Sequence, residues 1–389
     1  MPKTPTDRLS DNEKTADIEI PPPAGAASNR VNARQIPVTG QTAVLRASAE
    51  LGALDTFLTD PTISEIMVND LRNVMIEREG KLQFSGFKFQ SIDELNRVVR
   101  SLCESAGRYL TAEQPYLDLS LPDGSRVHLI GPPVTMGATC ITIRKFPHKR
   151  FVMQDLLAHS SLDQKMAYFL NVCVMGRLNI LVSGGTGSGK TTLLNVLASF
   201  IPKSERIITI EDTPELSIQQ SNSVRLVTKP ASPTSPALTA REMLANSLRM
   251  RPDRIIVGEV RRGEALDMLQ AMNTGHDGSL STIHANTYRD AISRLETLCL
   301  MSGINLPLLA IRKQIASSID LIVQTKRLRS GERKITTIAE LTGMEGEVIT
   351  SQELFGFDEA RGFKSTGLVP AFVERLKEQS IEFPSTFWI

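Results

Sequence analysis

The sequence predicts an α/β protein in two folded parts behind a polar tail: a small α+β domain, then a larger domain built on a parallel sheet. Three observations carry this expectation. Short apolar runs alternate with helical stripes through the second half of the chain, the pattern of a parallel sheet covered on both faces. The first such run ends in a glycine-rich turn that opens a helix. The length of 389 residues suits two or three domains rather than one.

In chain order, residues 1–47 are rich in Pro, Ala, Thr, Ser and Asn and contain no aromatic residue, so they are expected to be a disordered tail. Residues 48–149 form the expected α+β domain. Leu51–Leu58 suits a short helix, and Glu65–Val68 and Asn73–Glu77 suit strands around a turn at Asn69–Asp70. Leu95, Val98, Val99, Leu102 and Cys103 recur at helical spacing. Leu117–Leu121 and Arg126–Ile130 flank a Pro-Asp-Gly turn, and Thr139–Lys145 alternates as a strand with Thr142 and Arg144 on one face and Ile141 and Ile143 on the other.

Residues 150–389 form the second domain, entered through a linker from Phe146 to about Ser161. A helix over Leu162–Met175 precedes the strand Asn179–Ser183, and Thr191–Phe200 is helical up to Pro202. Strands are expected at Arg206–Ile210, Arg254–Val257 and Gly278–His284. Helices are expected at Arg241–Met250, Glu264–Met272 and from Tyr288 to Cys299. The last third looks strand-rich at Asp320–Gln324, Lys334–Glu340 and Glu347–Phe357, an extension of the same sheet.

Composition excludes some classes. A hydrophobic fraction of 41% and a charged fraction of 22% suit a globular protein. A formal net charge of +1 argues against a nucleic-acid binder held by bulk charge. The N-terminus lacks the apolar core of a signal peptide, and no run is long enough to span a bilayer. Cys103, Cys140, Cys173 and Cys299 are far apart and lack ligand spacing, so they read as reduced thiols rather than a zinc site.

The chemistry concentrates between Gly184 and Thr192. Gly184, Gly189, Lys190 and Thr191 satisfy G-x-x-x-x-G-K-T between a strand and a helix, the setting that confirms such a match. Glycines let backbone N–H groups curl around phosphate oxygens, and the helix N-terminus adds the positive end of a dipole. Lys190 is placed to reach the β/γ-phosphates and Thr191 to offer its hydroxyl to Mg²⁺. A bound nucleoside triphosphate is the implied ligand. The alternative, a glycine turn that binds nothing, does not explain this context.

Hydrolysis needs carboxylates at the carboxyl ends of the strands. Glu211 and Glu259 both fall there. Glu259 follows the apolar run RIIV and is assigned as the residue that activates water, with Glu211 as the second acid near Mg²⁺; the reverse assignment stays open. His276 and His284 flank a Gly-rich strand. They are either structural or placed to sense a phosphate. Arg126 and Arg144 are either surface charges or arginines that reach a phosphate across a domain or subunit boundary. A GTPase reading fails for want of an [NT]-K-x-D base-reading motif.

Four blocks together carry a family resemblance: GGTGSGKTT at 184–192, ITIEDTPEL at 208–216, RPDRIIVGEVR at 251–261 and TGHDGSLSTIHAN at 274–286. From about residue 50 onward the chain resembles the motor ATPases of the type II/type IV secretion superfamily. The run from Glu264 to Glu296 is most similar to its Tad/Flp-pilus branch. The resemblance implies a RecA-like P-loop motor behind a small PAS-like α+β domain. It implies an ATP site that includes Gly184, Gly185, Thr186, Gly187, Ser188, Gly189, Lys190, Thr191 and Thr192. Arg126 and Arg144 match the N-terminal-domain arginines that complete this site, and His276 and His284 match the His box. It further implies Mg²⁺ at Thr191, Glu211 and Glu259, a homo-hexamer, a cytoplasmic location peripheral to the inner membrane, and a membrane platform protein as partner. Direct nucleic-acid binding is not expected. The alternative within the superfamily is a conjugation or type IV secretion ATPase that moves DNA or effector proteins. This chain departs from the family in lacking a tetracysteine module, and in Arg262 and Tyr288, where Gly and Pro are expected.

Overall fold

The computed structural model describes residues 51–52, 54–146, 151–229, 231 and 236–389. The tail expected over 1–47 lies outside them. The first folded part begins with helix α1 (Leu54–Thr59) and contains an antiparallel sheet of six strands: β1 (Ile63–Val68), β2 (Val74–Arg78), β3 (Lys81–Phe84), β4 (Tyr116–Ser120), β5 (Arg126–Ile130) and β6 (Cys140–Arg144). The spatial order is β3-β2-β1-β6-β5-β4. Alternation decides its faces: Ile141 and Ile143 are buried while Thr142 and Arg144 stay exposed. Helix α2 (Ile92–Ala106) covers the apolar face with Leu95, Val98, Leu102 and Cys103. It starts where the Ser91 side chain accepts the Glu94 N–H and stops at Gly107, whose φ of 61° is left-handed.

Helices α3 (Met153–Ala158) and α4 (Gln164–Met175) lead into the second sheet. The linker expected from Phe146 to Ser161 therefore contains a short helix, held at its start by the Asp155 carboxylate on the Val152 N–H. The elements that follow are β7 (Ile180–Gly184), α5 (Lys190–Ala198), β8 (Ile207–Glu211), β9 (Ser223–Val227), α6 (Ala240–Ser247), β10 (Arg254–Val260), α7 (Glu264–Asn273), β11 (Leu280–Ile283), α8 (Tyr288–Leu300), α9 (Leu308–Ser318), β12 (Leu321–Arg327), β13 (Arg333–Glu345), β14 (Val348–Asp358), β15 (Gly362–Ser365) and α10 (Val373–Glu378). Nine strands take the order β15-β14-β13-β12-β7-β11-β10-β8-β9. From β12 to β9 neighbouring strands run parallel, and β13 to β15 extend the sheet antiparallel from β12. Apolar clusters fill both faces, with α4 and α5 on one and α7, α8 and α9 on the other.

Strands β3 and β15 and helix α10 were not read from the sequence, and three further features depart from it. Strand β9 and helix α9 were not anticipated: β9 is a partly buried edge, and α9 follows a Pro with only Ile311, Ile315 and Ser318 fully inside. Strand β10 continues through Val260, so Glu259 lies within a strand rather than after it.

The amino-terminal edge of the parallel sheet is pinned by one charge. Arg254 is 0% exposed. Its guanidinium reaches Glu205 Oε2 at 2.5 Å, the Val174 carbonyl at 3.0 Å and the Gly278 carbonyl at 3.2 Å. Gly278 has φ of 80°, and a side chain there would occupy the space of that guanidinium. Glu205 keeps Arg177 at 3.2 Å, but without the guanidinium the Val174 and Gly278 carbonyls lose a buried donor and a cavity opens. Arg254→Ala is therefore expected to cost about 3–5 kcal/mol, read as a lower chemical-denaturation midpoint at unchanged slope; a loss of about 0.5 kcal/mol, typical of a surface pair, would show that the pair is dispensable.

Candidate active site

The site forms at the carboxyl end of β7. Gly184 closes the strand with no room for a Cβ, because the Thr325 and Ser188 hydroxyls and the Thr325 carbonyl crowd its Cα. Ser188 Oγ donates to the Gly185 carbonyl at 2.9 Å and lies 2.8 Å from Thr325 Oγ1, which in turn donates to the Ser183 carbonyl at 3.0 Å. Gly187 and Gly189 take φ of 69° and 97°, left-handed values that turn the loop into the first turn of α5. Lys190 opens α5, and Thr191 and Thr192 follow it in the same turn.

Lys190 is 8% exposed. Its Nζ donates to the Gly185 carbonyl at 2.9 Å and lies 3.3 Å from His284 Nε2. Burial holds its pKa below the ordinary lysine value, although the Glu259 charge works the other way. His284 follows β11, the parallel neighbour of β7, and its Nε2 lies 3.1 Å from Glu259 Oε1. The other Glu259 oxygen accepts from Arg261 at 2.6 Å. Glu259 is aimed by a break in strand register against β11 between Val257 and Val260, and Thr282 Oγ1 holds the Gly258 carbonyl at 2.7 Å. The loop, Lys190, His284 and Glu259 thus form one contiguous polar cluster. Beside it opens a cleft of about 410 Å³ lined by Gly185, Thr186, His284, Asn286, Asp290 and Arg294 among others.

The first sheet supplies two more charges. Arg126 pairs with Glu215 at 2.7 Å across the two folded parts. Arg144 lies 3.7 Å from Glu65, and its charge is among the influences that lower the Lys190 pKa.

Two expectations need correction. His276 and His284 do not sit at one phosphate in this chain. His276 precedes β11 and its Nδ1 faces the Ala271 carbonyl at 3.2 Å, while His284 follows the opposite end of the strand. Parallel strands carry the P-loop at their carboxyl ends, so only His284 shares its edge. Glu211 is also not open to the cleft. It is 4% exposed, and its Oε1 accepts from the Glu215 and Leu216 N–H groups, both at 2.7 Å. It thereby braces the loop after β8, and burial pushes its carboxyl above the usual range.

Several participants had not been singled out. Glu215 and Arg261 lie inside the blocks quoted above, and only the fold shows that they meet Arg126 and Glu259. Asp290 and Arg294 reach the cleft from one face of α8, a stripe that reads in sequence as solvent-facing. Arg333, whose Nε donates to the Gly187 carbonyl at 2.9 Å, has no motif around it.

The residues present fit a triphosphate with a divalent cation. The loop conformation suits inward-facing N–H groups. Lys190 spends its hydrogen bonds on a carbonyl and an imidazole that phosphate oxygens can replace. Glu211 Oε2 is buried without a hydrogen-bond partner, its closest cation being Arg225 Nε at 3.7 Å. No cluster of three or more His, Cys, Asp or Glu side chains that would hold a metal on its own occurs among the described residues. A cation here would depend on phosphate oxygens for part of its coordination.

Comparison with known proteins follows the same lines. The family described as type II/IV secretion system protein matches residues 47–352. An uncharacterised protein of Methanocaldococcus jannaschii is 44% identical over 239 residues, 59% of this chain; the match spans only 33% of that longer relative. The type IV secretion system protein VirB11 of Bartonella henselae is 34% identical over 325 residues, covering 74% of this chain and 91% of its own length. The structure of the pilus retraction motor PilT with bound ADP superposes at a TM-score of 0.54 with 20% identity, covering 84% of this chain and 86% of that one. This likeness bears out the expected fold class, a RecA-like P-loop domain behind a small α+β domain.

Because burial first and Lys190 next hold the His284 pKa below its ordinary value, the ring is expected to be neutral at pH 7. Its neutral form favours the fold fully above pH of about 6.5, and that contribution fades as pH falls toward the lowered value. An NMR titration should show His284 titrating below a free histidine, and Lys190→Met should move it up; a normal value in the wild type would contradict the geometry.

Proposed function

The chain belongs to the type II/IV secretion system protein family, and on that premise we propose that it is an ATP-hydrolysing motor for pilus assembly or secretion. The observation that carries this reading is the contact chain from Lys190 through His284 to Glu259 on the rim of the P-loop.

In the proposed mechanism Lys190 exchanges the Gly185 carbonyl for β/γ-phosphate oxygens, and the loop N–H groups of Gly185 to Thr192 surround the phosphates. Thr191 and Glu259 would hold Mg²⁺, Glu259 through a water, while Glu211 stays buried on its loop N–H groups. Bound there, the cation would neutralise charge on the β- and γ-oxygens. Glu259 acts as the base. Arg261 holds its Oε2, while its Oε1 faces His284 Nε2, which cannot donate to it while accepting from Lys190, so Oε1 is the oxygen that accepts a proton from water. The water oxygen then bonds the γ-phosphorus as the bridge to the β-phosphate breaks, and ADP and phosphate leave. The bracing duty of Glu211 Oε1 favours Glu259 over Glu211 in this role. His284 sits where it can report the γ-phosphate to Glu259. His276, at the far edge, has no part in the chemistry of its own chain. Arg126 and Arg144 approach from the first sheet. Arg126 must release Glu215 before it can meet a phosphate, so nucleotide state and the docking of the two parts depend on each other.

The assembly follows from the family by proposal: a homo-hexamer in the cytoplasm, peripheral to the inner membrane and acting on a platform protein. No helix among the described residues is long and apolar enough to cross a membrane. The run over Glu264–Glu296 favours the Tad/Flp-pilus branch. The likeness to VirB11 favours the second reading, a type IV secretion ATPase that moves DNA or effector proteins. Affinity capture from an envelope fraction separates the two: a pilus platform protein supports the first and a conjugation-channel component the second.

Lys190→Ala is expected to abolish phosphate release. Glu259→Gln should bind ATP with near-normal affinity while turnover falls by about 10²-fold or more; normal turnover would move the base to Glu211. Arg144→Ala should lower turnover by about tenfold or more without loss of the fold, and a wild-type rate would remove this arginine from the site.

A further inference from the structure

The turn between β12 and β13 carries an arrangement that the fold alone does not call for. Arg327 and Arg333 are direct cross-strand partners at its mouth. Like charges in that relation repel. Neither guanidinium forms an ion pair with a carboxylate among the described residues. Each donates instead to a backbone carbonyl, and Arg327 also borders the P-loop, since a Cβ at Gly187 would lie 3.6 Å from its Nη1. Arg333 Nε reaches the Gly187 carbonyl at the tip of the P-loop at 2.9 Å. Arg327 Nη2 reaches the Gly80 carbonyl in the turn between β2 and β3 of the first sheet. Both glycines are left-handed, with φ of 69° and 78°, so the direction of each carbonyl reports the conformation of its turn. A Cβ at Gly189 would lie 3.5 Å from Arg333 Cδ, and one at Gly80 would lie 3.2 Å from Arg327 Nη2. Thr325, two residues before Arg327 on β12, meets the loop a second time through Ser188.

We propose that Arg333 and Arg327 are positioning residues that tie the conformation of the P-loop to the β2–β3 turn, so that phosphate binding at one is transmitted to the other. The route runs from Gly187 through Arg333, across one strand pair to Arg327, and on to Gly80. Closing the P-loop on phosphate redirects its peptide groups. Arg333 follows the Gly187 carbonyl, and the paired strand carries Arg327 with it. This inference rests on the nucleotide reading of the P-loop and adds a path that bypasses Arg126 and Arg144.

Hydrogen exchange on the full chain, with and without a non-hydrolysable ATP analogue and Mg²⁺, tests it. In the wild type the analogue should slow exchange by about tenfold both at residues 184–190 and at residues 79–81. Arg327→Ala should keep the first response and lose the second, with Arg327→Lys restoring part of it. Arg333→Ala should lose the response at 79–81 and raise KM more than it lowers kcat. A wild-type turn that ignores the analogue while 184–190 responds would overturn the proposal, as would an undiminished response in Arg327→Ala. No response at 184–190 in the wild type would instead overturn the nucleotide site, and the link with it. Unchanged exchange in β1 and β6 of the variants establishes that the first sheet is still folded.

Discussion

A buried ammonium needs partners before its ligand arrives. Lys190 is nearly enclosed, and the groups around it answer that need: a loop carbonyl, an imidazole, and through the imidazole a carboxylate. Much of the site follows from this. The P-loop strand lies between β11 and β12, so His284 from one neighbour and Thr325 from the other meet the loop without long excursions. Glu259 sits one strand further out, at the register break of its strand against β11, and its Oε1 still lies 3.1 Å from His284 Nε2. Most of the cluster is paired as it stands, though His284 Nε2 serves either Lys190 or Glu259 at a time. In the proposed mechanism phosphate enters by exchanging partners with residues already in place.

The site is distributed across the fold in a way that separates holding from sensing. The loop and its lysine belong to the second sheet. Arg126, Arg144 and the Gly80 turn belong to the first. Between them run a carboxylate–guanidinium contact at Glu215 and one guanidinium–carbonyl contact, from Arg327 to Gly80. Hydrogen bonds to charged groups are individually modest, of order 1.5–3 kcal/mol, so the two parts are joined firmly enough to feel one another and weakly enough to separate within a reaction cycle.

Much of this was legible in the sequence, and the limits have physical causes. The P-loop could be read because its glycines, lysine and threonine lie close together in sequence and no other chemistry needs that spacing. The sheet could be read because buried parallel strands are apolar runs of fixed length. Glu259 was found as a carboxylate at a strand end, but its register break was invisible because a bulge depends on the partner strand. Glu211 and His276 misled for a common reason. A polar residue next to a strand has two possible duties, bracing the backbone or facing the ligand, and only the end of the strand and the neighbouring loop decide. Arg327 and Arg333 left no mark at all, since their partners are backbone carbonyls of glycines 247 and 146 residues away.

The buried guanidinium of Arg254 has a wider consequence. It fastens β10, the end of α4, the entry to β8 and the turn before β11 at the edge opposite the P-loop. The parallel strands therefore behave as tines set in a stiff base. Their amino-terminal ends hold a common origin, and in the proposed mechanism displacement is left to the opposite rim, where the contacts are polar. A motor of the proposed kind could then cycle its rim while its base keeps the register of the whole sheet.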